Sequence, residues 1–238
     1  MPLNQTALPP EHRDQIQSLA ATKQYSALAS HYAQLQKRFQ FEQEDFLQWS
    51  NAEKSLGRLD TALHVLSLAV TNHGESVDLL IAKGKIHRDR GEPTLALRAY
   101  QQALAIDPNA HNAHCQAGIV YELQQQWPQA AACYRAAIQL KPDNGMHWLG
   151  LAKCLQANGD TTAGAEAFAN AERFMADESD YNKACLYSLM GNHNLALQHL
   201  HRFCQQHQYA AEWAKQDPDL RAIREDSRFA KACVGALE

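Results

Sequence analysis

The sequence is poor in the residues that most often break regular structure, with 8 prolines and 11 glycines among 238 residues. Collagen-like and low-complexity disordered chains are rich in these residues, so neither class fits. Valine and isoleucine are too few for the buried parallel strands of an α/β enzyme core. Positive charge is not in excess, since 22 Lys and Arg face 26 Asp and Glu. We therefore expect neither nucleic acid nor an anionic membrane as a partner.

Long apolar runs are also missing. No stretch approaches the ~18 apolar residues that a membrane span requires. The first fifteen residues, MPLNQTALPPEHRDQ, lack the basic start and apolar segment of a signal peptide. The sequence therefore predicts a soluble, cytoplasmic protein.

The cysteines are six in number, which would allow three disulfides. No two of them lie within four residues of each other, and each falls in an apolar, helix-like stretch. This placement favours reduced thiols that pack in the interior over a disulfide framework. The residues are Cys115, Cys133, Cys154, Cys185, Cys204 and Cys233.

Two residue types are abundant: 39 alanines and 23 glutamines. Alanine is the strongest helix former, and glutamine is compatible with helices. The composition therefore predicts an all-helical protein.

The sequence repeats itself with a period of 34 residues. Alanines recur at this spacing, as at Ala62, Ala96 and Ala130, and so do Pro108 and Pro142. Self-similarity at such a period predicts stacked copies of one supersecondary unit. The units begin at Gln43, Val77, His111 and Gly145, followed by a last one near Asp177.

The central units resemble the tetratricopeptide repeat, whose pattern is W-x₂-L-G-x₂-Y, then A-x₃-F and a closing proline. The second unit supplies Leu80, Gly84, Ala96, Tyr100 and Pro108. The third supplies His114, Ala117, Gly118, Tyr121, Ala130, Tyr134 and Pro142. The outer units match less closely, with Phe46, Trp49 and Ser50 in the first and Trp148, Leu151 and Gly164 in the fourth.

The resemblance implies an all-α fold, a right-handed superhelical solenoid of antiparallel helical hairpins. Small residues such as Gly84 and Ala96 let helices approach closely, while Tyr100, Tyr134 and Phe168 fill the space between them.

The turn within each hairpin favours glycine, because the chain reversal requires a positive φ angle. Gly57, Gly91 and Gly159 fall at this place. The third unit instead has the run Gln124 to Gln126, for which the sequence offers no reason.

We predict three regions along the chain. Residues 1–42 form an N-terminal helical cap or degenerate repeat. Residues 43–204 form a solenoid of about five repeats (43–76, 77–110, 111–144, 145–176 and 177–204). Residues 205–238 form capping helices and resemble the closing segment of many bacterial proteins of this family. Their apolar residues are expected to cover the last hairpin: Leu220, Ile223, Phe229, Cys233 and Leu237.

Catalysis is not expected. The repeats leave 42 residues before them and 34 after, too few for a separate catalytic domain. The sequence contains no P-loop, dinucleotide-binding glycine motif, nucleophile elbow or C-x₂-C pair. No cofactor is expected either.

Two groups of histidine and cysteine contain possible metal ligands: His111, His114 and Cys115, and His199, His201, Cys204 and His207. In the repeat register Cys204 faces the core while His199 and His201 point away. The second set should therefore not converge on one ion. His114 stands at a position that the family gives to a packing aromatic, and we expect no metal site.

The resemblance also implies a concave groove lined by the first helix of each hairpin, which receives an extended or helical peptide. Its apolar centre and flanking cations would suit an amphipathic segment with some acidic character. The alternative is that about half of these residues only pack between helices. The residues carried over by register are Glu44, Leu47, Asn51, Lys54, Asp78, Ile81, Lys85, Arg88, Asp89, Asn112, Cys115, Ile119, Glu122, Leu123, Met146, Leu149, Lys153, Gln156, Tyr181, Cys185 and Ser188.

Some co-chaperone members of this family clamp a C-terminal carboxylate with lysine, asparagine and arginine. Asn51 fits one clamp position, but Leu47, Ala82, Asn112 and Gln116 occupy the others. Binding of chaperone C-termini is therefore not expected.

These observations lead to the hypothesis of a non-catalytic adaptor or assembly factor that binds a protein segment in its groove. Two alternatives stay open: a homo-oligomeric scaffold that self-associates through its end repeats or convex face, and a regulator that binds a small ligand.

Overall fold

A computed structural model describes residues 6–207 and 210–234. The described chain is almost entirely helical, and the all-α prediction is confirmed. The only described strands are a parallel pair of two residues each, β1 (Thr6–Ala7) and β2 (Phe39–Gln40). No described helix has the length and apolar character needed to span a membrane.

Twelve of the described helices follow one another as six sequential pairs, each with a first and a second helix. The first helices are α1 (Pro10–Ala21), α3 (Gln43–Ser55), α5 (Val77–Asp89), α7 (His111–Leu123), α9 (Gly145–Ala157) and α11 (Asp180–Leu189). The second helices are α2 (Tyr25–Leu35), α4 (Leu59–His73), α6 (Pro93–Ile106), α8 (Trp127–Leu140), α10 (Thr161–Phe174) and α12 (His193–Gln206). The chain then continues through α13 (Ala210–Gln216), a 3-10 helix (Pro218–Ile223) and α14 (Phe229–Cys233).

The molecule divides into two compact units, which we call the N-terminal unit (residues 1–120) and the C-terminal unit (residues 121–238). In the N-terminal unit the core is aromatic at its start, where Tyr32, Phe41, Phe46 and Trp49 pack within 6.3 Å of one another's ring centroids in successive pairs. This cluster joins the leading hairpin to the first repeat.

Close helix contacts depend on glycine, as Gly84 and Gly150 show. A Cβ on Gly84 would lie 2.3 Å from Tyr100 Cε1 in the N-terminal unit. A Cβ on Gly150 would lie 2.4 Å from Tyr134 Cε1 in the C-terminal unit. Tyr100 is fully buried, and Tyr134 and Phe168 are buried as well. The predicted packing of small residues against rings is therefore confirmed.

The turns within the hairpins share one hydrogen-bond pattern. In the second repeat Gly91 N–H donates to Arg88 O and Glu92 N–H to His87 O, both at 2.9 Å, with Gly91 at φ +74°. This is a Schellman motif, which satisfies carbonyls at the end of a helix and places one residue in the left-handed region.

Two of these turns have a residue other than glycine in the left-handed position. Gln125 has φ +58°, and its N–H donates to Glu122 O at 2.9 Å. Lys23 has φ +54° in the leading hairpin. The glutamine run therefore replaces the glycine of the other repeats with a residue that adopts the same backbone conformation under strain.

The C-terminal segment covers the last hairpin. Leu220, Ile223, Phe229 and Cys233 are buried in one cluster with Leu200 and other residues of α12. The prediction is confirmed for these four residues, and Leu237 lies outside the described residues. All six cysteines are described, and all are free thiols.

Candidate functional site

The first helices of the N-terminal unit form an open pocket of about 470 Å³. Helices α3 and α5 supply most of its wall, and the first turn of α7 supplies Asn112. Ser76 fixes the start of α5 by accepting a hydrogen bond from Leu79 N at 3.3 Å. The lining residues are Glu44, Leu47, Gln48, Ser50, Asn51, Lys54, Asp78, Ile81, Ala82, Lys85, Ile86 and Asn112.

Eight of the twenty-one groove residues expected from the sequence line this pocket. They combine carboxylate, ammonium, amide and aliphatic side chains. Ile81 is largely covered by its neighbours, whereas Asn51, Asp78 and Asn112 are exposed. The eight are Glu44, Leu47, Asn51, Lys54, Asp78, Ile81, Lys85 and Asn112.

Two cations beside the pocket share one carboxylate. Lys54 Nζ lies 3.3 Å from Asp89 Oδ2, and Arg88 donates to Asp89 Oδ1 at 2.9 Å. Arg88 also donates to Gln116 Oε1 at 2.8 Å, which ties α5 to α7. The charges of Lys54 and Arg88 are therefore already partly compensated within the N-terminal unit.

Lys85 differs from these two cations. Its side chain is half-buried, and within the described residues it makes no hydrogen bond or ion pair. Burial lowers the pKa of Lys85, and the neighbouring charges of Arg88 and Lys54 lower it further. The pocket thus holds a cation whose local surroundings disfavour its charge.

Arg88, Cys115 and Ile119 are expected groove residues that do not line the pocket. All three are half-buried in the N-terminal unit. Cys115 and Ile119 lie on α7, beyond the turn that carries Asn112.

The remaining expected groove residues belong to the C-terminal unit, where their surroundings differ. Lys153 on α9 lies 2.6 Å from Glu122 Oε1 and 2.9 Å from Asp219 Oδ1. Burial alone would lower the pKa of Lys153, but the two carboxylates reverse the effect and raise it. Lys153 is thus a satisfied cation.

The second carboxylate comes from the chain's own C-terminal segment. Tyr181 on α11 donates to Asp217 Oδ2 at 2.7 Å, and Cys185 Sγ lies 3.9 Å from the same oxygen. The sequence Asp217-Pro218-Asp219, which opens the 3-10 helix, therefore lies against the first helices α9 and α11. We call residues 217–219 the acidic turn.

The contacts of the acidic turn were not predicted from the sequence, where residues 205–238 were expected only to pack against the last hairpin. A signal was available, because two aspartates flank Pro218 and Lys153 is a groove cation without an evident partner. No repeat register relates these positions, however, so their pairing could not be read from spacing.

The other expected groove residues of the C-terminal unit divide by exposure. Leu149 is 3% exposed and packs in the core, so it presents little surface to a partner. Met146 and Glu122 are half-buried, and Gln156 is exposed. Lys153 and Gln156 also border a shallow pocket of about 440 Å³ that includes Leu123, Trp127 and Asp219.

At one place in the described chain, three side chains of the types that bind metal ions lie close together. One ligand atom each of Cys185, Asp217 and Asp219 lies within 4.8 Å of the others. Asp219 already binds the Lys153 ammonium, and Asp217 accepts the Tyr181 hydroxyl. The two histidine and cysteine groups noted in the sequence do not form such a cluster among the described residues, and His199 instead contacts Asp180 Oδ1 at 2.6 Å.

Comparison with known proteins matches two overlapping segments of the chain to family models. Residues 84–125 match the TPR repeat model, and residues 115–179 match the tetratricopeptide repeat model.

The curated relatives are much longer proteins. A probable UDP-N-acetylglucosamine--peptide N-acetylglucosaminyltransferase SPINDLY from Solanum lycopersicum is 26% identical over 102 residues, which are 43% of this chain and 11% of the relative. The protein of the same name from Hordeum vulgare is 24% identical over 162 residues, or 64% of this chain and 17% of the relative. The chain thus spans less than a fifth of either relative.

Solved structures share the fold at low sequence identity. A crystal structure of MamA protein is 18% identical, with a TM-score of 0.55 over 71% of this chain and 93% of that chain. MamA 41-end from Desulfovibrio magneticus RS-1 is 17% identical, with a TM-score of 0.58 over 70% and 94% of the two chains. The repeat pattern, the helical structure and the family models agree that residues 84–179 consist of tetratricopeptide repeats.

Proposed function

We propose that this chain is a non-catalytic adaptor or assembly factor that binds a segment of a partner protein in the pocket of its N-terminal unit. Tetratricopeptide repeats serve in general as protein-interaction scaffolds, because stacked hairpins present an extended concave surface. The proposal adds to this general role a location and a mode of binding.

The open pocket between α3, α5 and α7 is the observation that carries the proposal. Its volume of about 470 Å³ is within the range of roughly 300–1,000 Å³ that is typical of ligand-binding clefts. Leu47 and Ile81 supply apolar wall, while Asn51 and Asn112 supply amides that are able to bond a peptide backbone. This combination suits an extended amphipathic segment.

The C-terminal unit supports the same mode of binding by its own contacts. There the acidic turn of the chain lies against first helices and is held by Lys153 and Tyr181. First helices of the C-terminal unit therefore accept a short acidic segment of this molecule.

Site-specific photo-crosslinking tests the proposal. A benzoylphenylalanine at Asn51, which is exposed and lines the pocket, should form an adduct with a different protein in the cells that express the chain. The same probe at Arg98, an exposed residue on the second helix α6, is the matched control and should not. Equal adducts from both positions, or none from Asn51, would reject the pocket as a binding surface.

A self-associating scaffold is the second candidate, and an apolar recess favours it. The recess lies between α4 and α5, has a volume of about 510 Å³ and includes Leu63, Leu66, Val70, Leu79 and Leu80. If it joins two copies, Leu63→Glu should convert a concentration-dependent dimer to a monomer in sedimentation velocity. A wild-type chain that stays monomeric up to high concentration would exclude this candidate.

A further inference from the structure

Lys85 lines the pocket and forms no ion pair with any of the described residues. The nearby acid Asp89 is engaged by both Lys54 and Arg88, at 3.3 Å and 2.9 Å. The exposed amides of Asn51 and Asn112 line the same pocket and form no side-chain hydrogen bond in the described part of the chain. Three donor groups therefore face one open space.

The repeat register gives Lys85 a structural counterpart. Lys153 stands at the same position two repeat lengths later, and it binds Glu122 at 2.6 Å and Asp219 at 2.9 Å. The residue that corresponds to Glu122 in the N-terminal unit is Lys54. Lys85 thus has a cation where Lys153 has an anion, and no carboxylate of the described residues lies within ion-pair distance of Lys85.

We propose that Lys85 binds the carboxylate of an aspartate or glutamate in an extended acidic segment of a partner protein, as Lys153 binds Asp219 within this chain. The inference rests on the proposed function, because it specifies the chemistry of the segment that the pocket takes. Lys85 is not at a position of the carboxylate clamp found in co-chaperone members of the family. Of those clamp positions, only the one at Asn51 has the expected residue in this chain.

Two features point to an acidic segment of another protein as the occupant. A free carboxylate would fill only a small part of about 470 Å³, whereas a short peptide also covers the Leu47 and Ile81 surface. The acidic turn of this chain is already held by Lys153 and Tyr181, so it is not available.

Glu44 and Asp78 carry negative charge at the pocket wall. They therefore disfavour a second acid near themselves and direct the partner's carboxylate toward Lys85.

The test uses the full chain labelled with ¹⁵N and an acetylated, amidated peptide of sequence AKQDPDLRAI, which reproduces residues 214–223. The peptide is titrated to millimolar concentration, and amide shifts of Ala82, Lys85 and Asn112 report on the pocket. We expect saturable shifts at these residues. A second peptide, in which both aspartates are replaced by asparagine, should bind at least about tenfold more weakly, since a charge-assisted hydrogen bond contributes about 1.5–3 kcal/mol.

Three variants of the chain assign the effect to the ammonium of Lys85. Lys85→Met should lower the affinity for the acidic peptide at least about tenfold. Lys85→Arg should retain most of the wild-type affinity, because arginine keeps the positive charge. Lys83→Met changes an exposed lysine on the same helix and should leave the affinity unchanged.

Each of the other outcomes contradicts a defined part of the account. No shift in the pocket at millimolar peptide, or equal binding by Lys85→Met or by the asparagine peptide, overturns the role of Lys85. Binding that does not depend on Lys85, combined with an Asn51 adduct, would leave the proposed function in place and reject this inference alone. If the chain self-associates and both Lys85→Met and Asp219→Asn abolish this association, the occupant of the pocket is a second copy of the chain. That result would overturn the assignment of the pocket to a different partner protein.

Discussion

Lys85 and Lys153 occupy the same position of the tetratricopeptide repeat, but among the described residues only Lys153 has carboxylates within hydrogen-bonding distance. Lys153 ties the acidic turn to α9, whereas Lys85 faces an open pocket beside two other cations. The same residue type therefore has a structural role in the C-terminal unit and is available to a partner in the N-terminal unit.

Replacing each lysine by methionine should have different effects on stability. Lys153→Met leaves Glu122 and Asp219 partly buried without their cation, which should lower the free energy of unfolding by about 2–4 kcal/mol. Lys85→Met removes a half-buried charge that has no partner, so its effect should be neutral or slightly stabilising. Urea denaturation of both variants and of the wild type measures the difference. An equal loss in the two variants would contradict the assigned roles.

The stability effect of Lys85 should depend on pH. Burial and the neighbouring cations lower its pKa in the folded chain below the ordinary 10.5. Between that lowered pKa and 10.5 the unfolded chain binds more protons at this residue, so its contribution to stability rises with pH in that window. As the pH rises through this window, the free energy of unfolding of the wild type should therefore increase relative to that of Lys85→Met. Parallel urea titrations of the two proteins measure this difference. A difference that is constant with pH would show that the pKa of Lys85 is not lowered.

The left-handed residue Gln125 marks a place where the fold is strained. Gln125→Gly should raise the free energy of unfolding by about 0.5–1 kcal/mol, because glycine adopts φ +58° without a steric penalty. The reverse change at the equivalent turn, Gly91→Gln, should destabilise by a similar amount. Thermal unfolding of the two variants measures both effects. A loss of stability in Gln125→Gly would mean that the side chain stabilises the turn by more than its backbone strain.

Two glycines inside helices should respond in opposite ways to alanine. Gly84→Ala places a methyl group 2.3 Å from the Tyr100 ring and should cost about 1–3 kcal/mol. Gly164→Ala places it no closer than 3.4 Å to its nearest neighbour, Gln156 N, and should stabilise by up to about 1 kcal/mol through helix propensity. Differential scanning calorimetry of the two variants distinguishes the steric clash with Tyr100 in Gly84→Ala from the gain in helix propensity in Gly164→Ala. Equal shifts in Tm would contradict the packing described for Gly84.

Much of the fold could be predicted from the sequence, because the repeat places the same physical requirement at each 34-residue interval. Small residues at Gly84 and Ala96 and rings at Tyr100 and Tyr134 mark where helices meet. The turn at Gln125 could not be predicted, since a pattern search recognises glycine but not another residue that adopts the same φ angle.

The candidate site was only partly predictable. Register carried Asn51, Lys54, Asp78, Ile81, Lys85 and Asn112 onto one surface, and these residues do line one pocket. Register does not describe a segment outside the repeats, so the contacts of Asp217 and Asp219 with first helices were missed. The repeat register also does not distinguish a residue that lines the groove from a residue of the same helix that packs in the core. Leu149, which was expected in the groove and is buried, is an example.

The affinity of the partner segment for a charge-reversed pocket tests the central claim most directly. Once the Asn51 adduct has identified that segment, isothermal titration should compare the wild type with Lys85→Glu combined with Arg88→Glu. The account predicts a loss of affinity of about a hundredfold or more, with the helical circular dichroism spectrum and the cooperative unfolding transition retained. An unchanged affinity in the double variant would contradict binding of an acidic segment in this pocket.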